Sequence, residues 1–311
     1  MARLETVTTP HASVMLNEAI EALNITPEGD YVDATFGRGG HARVIAGMLS
    51  SGRLLVIDKD PEAIASASAM KESGLPIEVY HGSFKDIQEA LQEHGFGLVD
   101  GILFDLGVSS PQLDNPERGF SFMRNGPLDM RMDTSKGFTA ADWISHTDEA
   151  DIAHALKVYG EERFAGRIAR KIVEVRSTTP ITTTHQLVDV IEKAIPFKEK
   201  NKHFATRTFQ AVRMVVNQEL EDVKIALTAA INALKSGGRL VVLSFHSLED
   251  RLVKQTLKAA SMGEEPKGII PYRGDRPKGI LKLLGKMKAT EAEVSLNARS
   301  RSAILRVAEK C

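Results

Sequence analysis

The segment DATFGRGGH, residues 33–41, decides the fold of this chain. It closes a β-rich run that begins at Asp30 and leads into an apolar stretch with helical periodicity. Gly37, Gly39 and Gly40 permit backbone angles closed to other residues and let a ligand approach the main chain, next to a helix N-terminus with free N–H donors. In that strand, loop and helix context they predict a nucleotide-type site. Asp58 ends the next β-rich run, about 20 residues further on, where a carboxylate can accept hydrogen bonds from both hydroxyls of a ribose.

Two ligand classes fit this spacing. Gly37, Gly39 and Ala42 satisfy the G-x-G-x-x-A form of the dinucleotide fingerprint, so spacing alone leaves NAD and S-adenosylmethionine both open. Asp33 tilts the balance, because a carboxylate just before the loop attracts a sulfonium or amino group and repels a pyrophosphate. Phe84, in HGSF after the third β-rich run, can lie against an adenine or pack into the core. Asp105 ends the fourth run, at the carboxyl edge where open α/β sheets bind their ligands.

Working outward, the β-rich runs at 30–36, 53–58, 77–81 and 99–106 alternate with amphipathic stretches such as 61–71, where Pro61 suits a first helical turn. The alternation predicts βαβ units and a doubly wound, mostly parallel sheet. After Pro111 the pattern becomes helical: Ile152, Leu156 and Tyr159 share a face, and Thr183 and Gln186 have the spacing of a capping box ahead of Leu187, Ile191 and Ile195. One long helix is expected through Val212, Val216, Leu220 and Leu227, ending at Gly237 and Gly238. A fifth strand at 239–245, a loop at 261–276 and a last strand at 303–308 follow. A structureless loop of the length 115–207 is improbable inside a compact fold. The expected organisation is therefore an α/β domain in two parts, 1–114 and 208–311, around an inserted all-α domain at 115–207.

Composition narrows the function classes. The single cysteine, Cys311, excludes an intrachain disulfide and a thiolate metal cage, and no metal is expected. No segment has the roughly 20 apolar residues of a membrane span, and the first twenty residues lack a secretory pattern, so a cytoplasmic location is expected. Net charge is −1, but residues 163–213 hold eleven basic against four acidic residues and residues 267–290 hold seven against one. Two basic tracts on an acidic body fit a polyanionic partner. Arg163, Arg167, Arg170, Lys171, Lys198, Lys200, Lys202 and Arg207 would contact phosphates rather than read sequence.

Seven segments together resemble the RsmH (MraW) family of small-subunit rRNA cytosine N(4)-methyltransferases. They are DATFGRGGH, IDKDP, HGSF, DLGVSSPQLD, ERGFSF followed by GPLDMRMD, SFHSLEDR at 244–251 and NARSRSAILR at 297–306. One departure is Ser13, where the family has proline. The resemblance implies a class I (Rossmann-like) S-adenosylmethionine-dependent methyltransferase with a helical substrate-recognition insertion. It assigns the cofactor to Gly39, Gly40, His41, Asp58, Phe84, Asp105 and Gln112, beside Asp33 and Gly37 read from the loop. The implied product is a methylated exocyclic N(4) amine of a cytosine in the decoding region of 16S rRNA. The implied partner is small-subunit rRNA, in a folded or assembled 30S particle; a homodimer is compatible with the sequence.

A cytosine amino lone pair is delocalised into its ring, so the site must hold it in line with the methyl group and accept a proton or hydrogen bond. Asp105 is the leading candidate, with Ser109, Ser110, Ser244 and His246 as further groups near the acceptor. The chain has Leu106-Gly107-Val108 where many amino-methylating enzymes carry a proline-aromatic clamp, which leaves Phe120, Phe122 or Phe245 to stack on the base. A non-catalytic RNA-binding assembly factor would explain the basic tracts but not a complete cofactor-shaped site.

Overall fold

A computed structural model describes residues 13–197, 203–263 and 279–311. In chain order, α1 (Leu16–Leu23), β1 (Asp30–Asp33), α2 (Gly40–Met48), β2 (Arg53–Asp58), α3 (Pro61–Glu72), β3 (Ile77–His81), α4 (Ile87–Glu93) and β4 (Val99–Asp105) form the first half of an α/β unit. Then come α5 (Ser110–Asp114), α6 (Ala140–His146), α7 (Glu149–Gly160), α8 (Ala165–Arg176), α9 (Thr184–Ala194) and α10 (Thr206–Val216). The chain continues with α11 (Glu219–Ala233), β5 (Leu234–Ser244), α12 (Ser247–Ser261), β6 (Leu281–Lys288), α13 (Glu291–Leu296) and β7 (Ile304–Lys310). Two compact units result: residues 1–107 with 220–311, and residues 108–219.

The α/β unit is built on a seven-stranded sheet of order β3-β2-β1-β4-β5-β7-β6. The pairs among β1 to β5 are parallel, and β7 runs antiparallel to both β5 and β6. The alternating pleat explains why the central strands read as unbroken apolar runs, since both faces are covered. Val32, Leu55, Ile57, Ile102, Phe104 and Val242 pack on one side with Leu227 of α11 and Val253 of α12. Tyr31, Leu54, Val56, Leu103 and Val241 pack on the other with Ala19 of α1, Ile45 of α2 and Ala67 of α3. Pro61 takes the first turn of α3, and the Asp60 side chain caps it by accepting the Glu62 N–H at 3.0 Å.

The second unit is helical around its own core of Ile144, Ile152, Leu156, Ile168, Ile172, Leu187, Ile191, Phe209 and Val212. Thr183 and Gln186 form the expected capping box of α9. The segment GPLDMRMD is pinned as a loop rather than an element. Arg118, 5% exposed, donates to the carbonyls of Arg131 and Met132 at 3.1 and 3.0 Å. Asn217 accepts the Met132 N–H at 2.7 Å and donates to Met130 O at 2.7 Å and Arg213 O at 2.9 Å.

Three expectations differ from the structure. The single long helix is two helices, α10 and α11, broken where Gln218 takes a left-handed φ of 53° next to the bonded Asn217. Gly237 and Gly238 do not end a helix but lie inside β5, which begins five residues earlier than expected and is irregular against Val99 and Gly101. β6 was not expected at all: LKLLGKMK interleaves lysine with apolar residues, as suits an exposed edge strand. The expected loop at 261–276 lies outside the described residues from 264 onward. The described helices include none long and apolar enough to cross a membrane.

Replacing Asn217 by Ala would orphan the Met132 N–H and the Met130 carbonyl in the interior of the helical unit, a cost of about 2–4 kcal/mol. Chemical denaturation of Asn217→Ala is expected to show that loss, while Gln218→Gly, which relieves the left-handed backbone, is expected to stabilise by a few tenths of a kcal/mol up to about 1 kcal/mol.

Candidate active site

The glycine loop is fastened to the strands on either side of it. The Phe36 N–H donates to Ile57 O at 3.0 Å and the Ala34 N–H to Leu103 O at 2.9 Å. Gly37 has φ 55° and its N–H donates to Asp58 Oδ2 at 2.8 Å, while the Asp60 N–H donates to Asp58 Oδ1 at 2.9 Å. Gly39 has φ 72°, and a Cβ there would lie 2.6 Å from the Phe36 ring. A Cβ on Gly40 would meet Ser13 Oγ at 1.9 Å, so the chain ahead of α1 closes directly over the first turn of α2. The tightness of the loop therefore comes from its neighbours as much as from its own sequence.

Three carboxylates converge on this edge of the sheet. Asp33 is 1% exposed and its Oδ1 accepts the Thr35 N–H at 3.1 Å. Burial pushes its carboxyl up to about 7, helped by the nearby Asp58 and opposed by the main-chain N–H groups of Thr35 and Ala42. Burial also raises Asp58, against the amides of Asp60 and Gly37. Asp105 is pushed up to about 8 by burial, with the charges of Asp33 and Glu249 adding to it. Its Oδ1 is buried without a partner, while 26% of the side chain stays open, which admits solvent and moderates the upward push. The Asp105 main chain is held by its N–H donating to Thr35 Oγ1 at 2.6 Å.

His41, at the first turn of α2, lies 3.7 Å from Asp105 Oδ2. That is an ion-pair distance without an ion pair, because burial depresses the imidazole to about 4, an interaction with the Val14 main chain opposing it. His41 is neutral at pH 7, and its Nε2 is buried without a hydrogen-bond partner. The cluster thus holds three acids raised above their usual range, and among the described residues Lys59, acting on Asp58, is the cation that opposes this. That donor set suits a cationic ligand and opposes a pyrophosphate.

The side of the site that carries Phe84 is braced by a residue the sequence did not single out. Asp222, 3% exposed on α11, accepts Ser83 Oγ at 2.9 Å and pairs with Lys59 at 3.1 Å and Lys85 at 3.2 Å. One buried carboxylate therefore ties together the residue after Asp58 and the residues on both sides of Phe84. Phe84 meets Phe104 edge-on at 5.9 Å, and the Lys59 ammonium sits 5.7 Å from its ring centre. Nothing in the local sequence around Asp222 marks this role, since its partners lie more than 130 residues away.

The remaining expected residues fall in several places. His246 caps α12: its Nδ1 accepts the Glu249 N–H at 3.3 Å, and its Nε2 lies 2.9 Å from Glu249 Oε1, off the line of a hydrogen bond. Glu249, 1% exposed, also accepts the Phe245 N–H at 2.9 Å; its spacing from His246 was the available signal for it. Ser244 is buried and donates to Ile304 O at 3.3 Å, which ties β5 to β7. Ser109 and Gln112 belong to the helical unit and form the capping box of α5, with the Ser109 N–H donating to Gln112 Oε1 at 2.9 Å. Phe120 and Phe122 pack inside the same unit, while Phe245 packs half-buried near Gly107. Arg163, Arg167 and Arg170 are exposed, Lys171 is half-buried on α8, and Arg207 is half-buried on α10. Lys198, Lys200 and Lys202 lie outside the described residues.

A parallel sheet with one reversed strand set between β5 and β6, carrying acids rather than a phosphate cradle at its carboxyl edge, defines a Rossmann-like methyltransferase. The chain belongs to the MraW methylase family, whose model matches residues 8–311, and its cofactor is S-adenosylmethionine. Similar solved structures include a candidate rRNA methylase from Clostridium thermocellum, with 12% identity over 97% of this chain and 100% of that one and a TM-score of 0.46. An rRNA methylase from Streptococcus thermophilus matches with 11% identity over 95% and 93% of the two chains and a TM-score of 0.41. A candidate methyltransferase from Streptococcus mutans in complex with SAH matches with 8% identity over 97% and 100% and a TM-score of 0.43.

Binding of a cationic cofactor against these raised carboxyls is expected to release protons. Without a cation, Asp33 and Asp105 hold protons near neutral pH, and a bound cation favours their ionised forms. Affinity for S-adenosylmethionine is expected to climb as pH rises from about 6 toward 8, and the free protein, which binds more protons folded than unfolded, is expected to lose stability over pH 4–8. Calorimetric titration at pH 7 in two buffers of different ionisation enthalpy should show proton release that shrinks in Asp105→Asn; identical heats in both buffers would contradict this. Asp222→Ala should raise KM for S-adenosylmethionine by about tenfold with kcat within about twofold, as lost positioning worth ~1.4 kcal/mol would do.

Proposed function

We propose that this protein transfers the methyl group of S-adenosylmethionine to the exocyclic N(4) of a cytosine in the decoding region of 16S rRNA, acting in the cytoplasm on folded RNA or an assembled small subunit. The observation that carries this reading is the match to one family model along residues 8–311, so that the cofactor site and the helical unit belong to the same family pattern. The exposed arginines of α8 supply the positive charge that an RNA backbone requires, on the unit that does not carry the carboxylate cluster.

When bound, S-adenosylmethionine supplies an electrophilic methyl group on a positively charged sulfur. Asp33 and Asp105 meet the positive charge, and Asp58 receives the ribose through the lone pairs its two amide bonds leave. Gly37 and Gly39 take the left-handed backbone that shapes the loop, with His41 neutral at its edge. Phe84 offers its ring to adenine, and Asp222 fixes the loops on both sides of it. The partnerless Asp105 Oδ1 is the acceptor for an amino hydrogen, either of the cofactor or of the cytosine, as the nitrogen gives up its lone pair. His246 acts through Glu249 as a positioning residue, because its Nδ1 is occupied by the cap of α12. Ser244 is held by Ile304 and takes no part in proton transfer. Ser109 and Gln112 fix the start of α5, where the Ser109 main-chain N–H donates to Gln112 Oε1. The target cytosine must be unpaired or extruded to reach such a site.

Transfer of labelled methyl groups to unmodified small subunits, naked rRNA and DNA tests this. Label on a cytosine amino group of the subunits is expected, with a drop of at least about a hundredfold in Asp105→Ala, the scale of losing a positioned acid–base group. Cofactor binding without transfer to any of the three acceptors would sink the reading in favour of a non-catalytic assembly factor.

A further inference from the structure

The helical unit carries a feature that phosphate contact alone does not explain. Arg167, Arg170 and Lys171 fall on one face of α8, and with Lys193 in the last turn of α9 and Pro196 beyond it they line a groove of about 340 Å³. Glu174 is the one acid lining it and is paired with Lys171 at 2.7 Å, while Arg170 reaches Glu149 only at 3.7 Å across an exposed gap. Among the described residues neither Arg167 nor Lys193 has an ion-pair partner. The groove is therefore net positive, and the chain that lines it through Pro196 continues directly into an aromatic residue.

Phe197, one residue past Pro196, is 52% exposed. It is braced edge-on by Phe164 at 5.2 Å and 90°, and the Arg163 guanidinium lies 5.7 Å from its ring centre and 5.8 Å from that of Phe164. An arginine on paired phenylalanines, one of them next in the chain to a residue lining a cationic groove, offers both partners of a nucleotide at once: a flat, weakly hydrated face for a base and ammonium and guanidinium groups for its phosphate. A paired A-form duplex hides its base faces inside the stack, so this combination suits a strand whose bases are free.

We propose that the groove between α8 and the end of α9 binds unpaired RNA, its backbone phosphate between Arg167 and Lys193 and one base stacked on Phe197. The proposal rests on the reading of RNA as substrate and narrows it: the helical unit selects a single-stranded segment rather than a charged surface in general.

The test is fluorescence anisotropy of a short labelled oligoribonucleotide, single-stranded or annealed to its complement, titrated with the full-length protein over a salt series. Phe197→Ala should weaken single-strand binding roughly tenfold while changing duplex binding by less than about twofold, and Phe197→Trp should restore it. Arg167→Gln with Lys193→Gln should lower the slope of log affinity against log salt by about 0.7 per charge. Phe197→Leu, apolar but without a ring, decides the question if the alanine variant does not fold. Binding of S-adenosylmethionine, a property of the other unit, checks the integrity of each variant. Single-strand affinity unchanged in both the alanine and leucine variants, or an equal loss for duplex, overturns the proposal. Methyl transfer by the unaltered protein is scored separately. Transfer to subunits with unchanged oligonucleotide binding removes the groove alone, and the binding losses without any transfer remove the rRNA substrate alone.

Discussion

Burying carboxylates without a cation is among the most costly things a protein interior can do, and this fold gathers Asp33, Asp58 and Asp105 at one sheet edge, with Glu249 close enough to raise Asp105 further. The strands that deliver them are bonded side by side, β2 to β1 and β1 to β4, so the acids cannot move apart without breaking the centre of the sheet. The amide bonds from Gly37, Thr35 and Asp60 offset only part of the cost. What remains is an electrostatic demand that a sulfonium ligand answers and a pyrophosphate would worsen. The glycine loop, whose spacing serves either ligand, is set among these acids.

Much of this was legible in the chain. Strand periods at 53–58 and 77–81 coincide with β2 and β3, and Pro61, Thr183 and Gln186 stand at the helix starts that their local chemistry dictates. These features are decided by neighbours a few residues away. The features the sequence concealed are decided at long range. Asp222 reads as an ordinary acid on a helix until Ser83, Lys59 and Lys85 are brought to it. The break at Gln218 is hidden because the apolar stripe continues in phase on both sides, while Asn217 is diverted to bond the main chain of Met130 and Met132. β6 is hidden for the opposite reason: an edge strand exposed along most of its length shows little apolar run to detect.

The same contrast holds at the site. Asp33, Gly37, Gly39, Asp58 and Asp105 stand out in the sequence because they occupy loop and strand-end positions that carry fixed roles in open α/β sheets. Thr35 and Glu249 lay inside quoted segments yet went unassigned, since their work is to hold Asp105, His246 and Phe245 rather than to face a ligand. Residues that orient other residues have no spacing rule of their own. Only the folded geometry separates them from their neighbours.

The reversed strand has a further consequence, for the order in which the molecule can be completed. β7, the last strand of the chain, lies between β5 and β6, both made earlier. Until synthesis passes Lys310, β5 and β6 both lack the partner that joins them among the described strands, and β5 keeps an open edge of amide and carbonyl groups. A nascent chain in that condition is a template for pairing with its own copies. β6 stays at the edge of the finished sheet, so the lysines that punctuate it at 282, 286 and 288 keep that edge charged both before and after β7 is in place.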